Sequence, residues 1–182
     1  MPRRHLKPLT QWICDYCHEL IEAPEHGWFE WVVQPENENG HYLASGFKIV
    51  HHALHSPGNR RGKTCFHYED AEGRSDLHLQ HFVGPDGLVR LLGILHRNDG
   101  GPPECAVANL NEFVEIARRL HVPHYEEARM YFAEAERDGY IERNNDIFSY
   151  SQQTLADIIR KYGPKPKPGT FEEDELSPTD ID

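Results

Sequence analysis

The chain has 182 residues, a formal net charge of −11 and 38% hydrophobic residues. That length suits one medium domain or two small ones. The acidic balance argues against a general binder of nucleic acid or anionic membrane, because such affinity comes from Lys and Arg neutralising phosphates. No run of about 18 apolar residues occurs, which excludes a transmembrane helix.

In chain order, residues 1–11 form a short basic arm with no apolar h-region, so no signal peptide is expected. Trp12 to Cys17 reads as a strand end and knuckle carrying Cys14-Asp15-Tyr16-Cys17. Trp28 to Val33 is aromatic and β-branched and predicts a strand. Residues 35–40 are a polar hairpin loop, and Tyr42 to His52 returns as the partner strand, with a break expected near Ser45-Gly46. Ser56 to Lys63 is a loop with Arg60, Arg61 and Lys63 and no acid. It reads first as a solvated loop, and second as a phosphate contact.

Thr64-Cys65-Phe66-His67 closes this first unit, and its donors point to zinc. Two thiolates two residues apart on a tight turn can both reach one ion at ~2.3 Å. Cys65 is the natural third ligand. Histidine is the expected fourth, from 13 in the chain. Side chains alternate along a strand, so Phe47, Ile49 and His51 share the predicted core face; His51 is preferred over His52, with His67 and His18 in reserve. The expected set is therefore Cys14, Cys17, His51 and Cys65 around a structural Zn²⁺. The cysteines also admit a reading as inert buried thiols. A redox pair of thioredoxin type belongs near a βαβ pattern, and Cys14 stands too close to the start for that. Four cysteines without an export signal favour metal over disulfides and a cytoplasmic setting.

Further along, Ser75-Asp76 predicts the cap of a short helix through Phe82. Leu88, Leu91, Leu92 and Leu95 predict an amphipathic helix over 86–97 whose stripe packs on the hairpin. Asn98 to Pro103 is the clearest linker, which sets domains at 1–100 and 101–163, with 164–182 an acidic, disordered tail. Cys105 reads as a lone thiol. In the second part, Asn109 or Asn111 caps a helix holding Phe113, Ile116, Ala117 and Leu120. Tyr125 to Asp138 forms a second helix, Gly139 stops it, residues 140–150 form two short strands, and Ser151 caps a last helix over Gln152–Tyr162. The fold class is α+β: a small zinc-stabilised β-hairpin module followed by a mainly helical one.

Three resemblances follow from these residues. A knuckle followed by a hairpin is similar to the start of zinc-ribbon and treble-clef modules. Glu115-Ile116-Ala117-Arg118-Arg119-Leu120-His121-Val122, followed by a helix ending Asp138-Gly139-Tyr140-Ile141, resembles a winged helix-turn-helix over about 35 residues. That likeness implies a second helix in the major groove. Here that helix carries Glu126, Glu127, Glu134, Glu136 and Asp138 against Arg129 and Arg137, which phosphate would repel, so docking on a protein or nucleoprotein partner is the expectation. The Cys-x-x-Cys, hairpin and Val50-His51-His52 also resemble the HNH nucleases, which implies water activation by His52 near a divalent cation. The chain has no GxSxG, P-loop, GxGxxG or HExxH motif. Its leading reading is a non-catalytic, zinc-binding interaction or regulatory protein, with a metal-dependent nuclease as the alternative.

Overall fold

A computed structural model describes residues 4–36, 42–59, 62–68, 72–95, 105–141 and 149–165. The chain is mixed α+β. Six strands are described: β1 (Trp12–Ile13), β2 (Leu20–Ile21), β3 (Gly27–Pro35), β4 (Tyr42–His51), β5 (Arg74–His78) and β6 (Cys105–Val107). The first two form a small antiparallel ribbon, and the others form a sheet in the order β5-β3-β4-β6 with β6 parallel to β4. The helices are α1 (Gly84–Leu95), α2 (Leu110–His121), α3 (Tyr125–Ala128), α4 (Phe132–Arg137) and α5 (Gln152–Tyr162).

The sheet is built on the β3–β4 hairpin, whose register pairs Trp28 with Val50 and Phe29 with Ile49. The register shifts between Glu30 and Val32, opposite Gly46. Gly46 has φ +66°, and a Cβ there would meet the Tyr68 hydroxyl, so only glycine gives the bulge without strain. The break near Ser45-Gly46 is thus a bulge inside one continuous strand.

The helix expected over Ser75–Phe82 is instead β5 followed by a 3₁₀ turn, Leu79–Phe82. Edge pairing of Ser75 with Trp31 and Asp76 with Glu30 satisfies backbone groups that a Ser-Asp cap would otherwise take up. The helix expected over Tyr125–Asp138 is broken into α3, a 3₁₀ turn at Arg129–Tyr131, and α4; Tyr131 leaves helical geometry there, at φ −114° and ψ 0°. Asn109 and Ser151 cap α2 and α5 through their side chains, as their positions predict.

Two hydrophobic clusters result. Phe29, Phe47, Ile49, Leu79, Phe82 and Leu91 pack with Phe113, Ile116 and Leu120 of α2. Packing therefore runs across the linker between the sheet and the first helix after it. Tyr125, Ala128, Tyr131, Ala135, Leu155, Ile158 and Tyr162 form the second cluster. The leucine stripe of α1 packs less than expected: Leu91 is buried, while Leu88, Leu92 and Leu95 are exposed. The tight end of the 35–40 loop, Arg60 and Arg61, the linker at 96–104, most of the two short strands at 140–150, and the tail from residue 166 lie outside the described residues.

Candidate metal centre

Cys14, Cys17, His51 and Cys65 converge, with one ligand atom from each lying within 4.8 Å of the others. Cys14, His51 and Cys65 are buried, and Cys17 is partly so. The β1–β2 ribbon supplies the first pair. Its turn is closed by the Cys14 amide donating to Glu19 O at 2.9 Å and the His18 amide donating to Cys14 O at 2.9 Å, with His18 at φ +62°. His51 stands at the end of β4 on the buried side with Phe47 and Ile49. Cys65 is fixed by its amide donating to Ser56 Oγ at 3.0 Å.

The histidine is oriented for ligation. His51 Nε2 lies 3.0 Å from Leu20 O, and Nδ1 lies 3.4 Å from Cys17 Sγ. A carbonyl can only accept, so Nε2 carries a proton and Nδ1 faces the thiols; it can donate to a thiolate while protonated and offers its lone pair once that proton is lost. Histidines that ligate metals are commonly fixed this way.

The three thiols sit in unequal electrostatic surroundings. Burial pushes the Cys14 thiol up, but the hydrogen bond from His51 and nearby backbone amides bring it down to about 7. Burial pushes Cys17 up to about 12, and the charge of Cys14 adds to that; burial likewise raises Cys65. One thiolate is therefore favoured beside a His51 that burial alone would discharge but the Cys14 hydrogen bond keeps protonated more readily than usual. Burial disfavours ionisation of the other two, and a positive charge placed among them would oppose that. A divalent ion supplies that charge, and thiolate-rich sets select soft or borderline ions. The four residues lie close enough to hold a metal ion between them.

Behind the ligands lies a charged network that the sequence reading did not identify. Asp15, inside the knuckle, accepts the Ile49 amide at 2.7 Å, and its own amide donates to Ile49 O at 2.8 Å. Arg119 of α2 donates Nη1 to both Asp15 oxygens at 3.0 and 2.8 Å, Nη2 to Ile13 O at 3.1 Å, and Nε to Glu126 at 2.7 Å. Glu126 also takes Arg129 at 2.8 Å and the Ile13 amide at 2.9 Å. Arg119 is 4% exposed. Glu126 and Glu127 are buried, so two of the five acids counted against phosphate binding face inward. The sequence signal was present: an acid between the two cysteines, and an arginine beside the apolar stripe of α2.

The other predicted candidates fall outside the centre. His18 and His67 are exposed, with the His67 ring edge-on to Tyr16. His52 points to the opposite side of β4 from His51 and stacks on Trp28 and His78. No helix among the described residues is long and apolar enough to cross a membrane. No protein-family model matches the chain, and no curated protein or solved structure matches it either.

Proposed function

We propose that the protein is a zinc-binding, non-catalytic interaction or regulatory module, with the metal as a structural Cys₃His centre. The observation that carries this reading is the convergence of Cys14, Cys17, His51 and Cys65. Four protein donors leave no position for substrate, which is the pattern of structural rather than catalytic zinc. The helical part, with its Gly139 turn after α4, is read as a winged-helix-like element that docks a protein or nucleoprotein partner. What supports docking over base reading is the excess of acid, −11 over the chain.

Native and denaturing mass spectrometry tests the metal. One zinc per chain is expected, lost in Cys14→Ser and in His51→Ala and kept in His52→Ala. Apparent binding energies of structural zinc in small modules run to about 10–16 kcal/mol, so Cys14→Ser should also lose the cooperative melt of the sheet. A metal-free wild-type protein overturns the reading. Nicking of plasmid DNA with Mg²⁺ or Mn²⁺ that vanishes in His52→Ala would replace it with the nuclease.

A further inference from the structure

Helix α1 buries Gly87 and Leu91, half-buries Ile94, and leaves the rest of its apolar residues in solvent. Val89 is 70% exposed, Leu92 50%, Leu88 40% and Leu95 39%. At 3.6 residues per turn, Leu95, Leu88, Leu92, Pro85, Val89 and Gly93 follow one another round one uninterrupted arc beside the buried one. Pro85 and Gly93 are exposed too, and a Cβ at Gly93 would meet nothing within 4 Å. The arc carries no charge. Asp86 and Arg90 fall outside it, beyond Gly93, and Arg90 Nη1 donates to His81 O at 3.0 Å. A helix that is apolar round so much of its circumference is ordinarily covered.

We propose that α1 docks on α1 of a second copy of this chain, the two helices running antiparallel about a two-fold axis level with residue 90. Pro85, Leu88, Leu92 and Leu95 are spaced three, four and three residues apart, which is the a/d spacing of a coiled-coil seam. Turned end for end, that spacing is its own complement. Leu88 falls opposite the second copy's Leu92, Leu95 falls opposite its Pro85, and the helix dipoles oppose. Charge selects this occupant. Two chains of net charge −11 repel one another, and this seam lets them meet with no like charges opposed. A membrane surface suits it less, because helices that lie on membranes carry Lys and Arg on the polar face, and Arg90, the one base of α1, is held by His81. A basic partner finds no acid in the seam. Size sets the strength. Twelve residues make a helix of about 18 Å, and two such helices bury less than the about 1,200–2,000 Å² of stable complexes. The dimer is therefore weak and reversible, with a dissociation constant between about 1 μM and 1 mM. None of this involves the cysteine centre.

Sedimentation equilibrium of the full chain across that concentration range should show monomer and dimer. Added salt should strengthen the dimer by screening the two net charges. Leu92→Glu puts a charge from each copy into the seam and should raise the dissociation constant by about tenfold or more. Val89→Lys, at the most exposed position of the arc, serves if that variant does not fold, and should weaken association in the same direction. Leu77→Glu changes a residue that is also exposed but stands on β5, and should leave association unchanged. In a mixture of isotope-labelled and unlabelled chains, filtered NMR should show the Leu88 methyls against the second copy's Leu92 methyls. The proposal is overturned by a chain that stays monomeric at the top of the range, by association that survives Leu92→Glu or is lost in Leu77→Glu, or by weakening with salt. Leu88 meeting its own counterpart, as in a parallel pair, would overturn it as well. A monomer that binds phosphatidylcholine vesicles and loses them in Leu92→Glu would replace the second copy with a membrane.

Discussion

Two carboxylates hold the loops that deliver the thiolates, and they are neutralised in opposite ways. Asp15 in the Cys14–Cys17 knuckle grips β4 through the Ile49 amide; Glu30 in β3 grips the Cys65 loop through the His67 amide at 2.7 Å. Burial alone would raise both. At Asp15 the guanidinium of Arg119, with help from Arg129, more than reverses this and holds the carboxyl below its usual range. At Glu30 burial wins over the His67 and Tyr68 amides and the charge of Arg74, so the carboxyl is raised, and Oε2 has no hydrogen-bond partner among the described residues. The knuckle is thus tied by charge to α2 and α3, whereas the Cys65 loop is held by hydrogen bonds within the sheet. A disturbance of the helices should reach the metal through the knuckle.

Arg119→Met breaks this comparison most severely. It leaves Asp15 and Glu126 without their shared guanidinium, and removing one partner of a buried ion network costs about 3–5 kcal/mol. Urea unfolding should show that loss, and metal should leave the variant at a lower chelator concentration. Replacing Asp15 and Glu126 with Asn and Gln in the same chain should recover part of it, because no uncompensated charge remains. The pH sign follows from Glu126. Burial would raise it, but Arg119 and Arg129 hold it below the usual range. Its contribution is present above the unfolded value of about 4.3 and is lost as pH falls through the folded one. Glu126→Gln should therefore differ most from the wild type near neutrality and least in strong acid. A constant difference across that range would rule the ion network out as the cause.

Leu155→Ala tests the other direction of the link. Leu155 is fully buried in the second cluster, and a Leu→Ala cavity costs about 2–5 kcal/mol. Denaturation should show that cost while metal per chain stays unchanged, since this cluster contains none of Cys14, Cys17, His51 and Cys65 and the knuckle is reached through the charged groups Glu126 and Arg129. A variant that folds yet releases its metal would mean that the helices hold the knuckle by packing rather than by charge.

The grouping of Cys14, Cys17, His51 and Cys65 was legible because each step obeyed a local rule. Cys-x-x-Cys is a turn motif, and strand alternation separates His51 from His52. The caps Asn109 and Ser151 were legible for the same reason. What escaped was decided by distant partners. Arg119 meets Asp15 across 104 residues, and no helical period marks such a pair. Ser75-Asp76 satisfies a capping rule as well as an edge strand, and only the free edge of β3 decides between them. The stripe of α1 has helical spacing, but spacing alone does not say how much of it finds cover, and only Leu91 does fully.

Ser151→Ala should have a smaller effect, about 1 kcal/mol. Ser151 Oγ accepts the Thr154 amide at 3.2 Å at the start of α5. Thermal melts should resolve the shift, and Ser151→Asp should restore most of it, because Asp caps as well and favours the positive end of the helix. If Asp fails to rescue, the Ser151 hydroxyl matters through Thr154 Oγ1, 2.9 Å away, rather than through the cap.

Glu30→Gln should have the smallest effect near pH 4 and a growing one above it. The amide keeps an oxygen for the His67 N–H, so the Cys65 loop stays fastened. The folded carboxyl is raised, so its neutral form is the one the fold prefers. Its contribution is full below the unfolded value of about 4.3 and is lost as pH rises through the folded one. Gln never ionises and keeps that contribution at every pH. The variant should therefore melt at or above the wild-type temperature, with the gap widening from about pH 4 towards neutrality, opposite in slope to Glu126→Gln. A gap that narrows instead would mean that the charged form of Glu30 holds the loop, through a partner for Oε2. The two thiolate loops would then be fastened by the same kind of force.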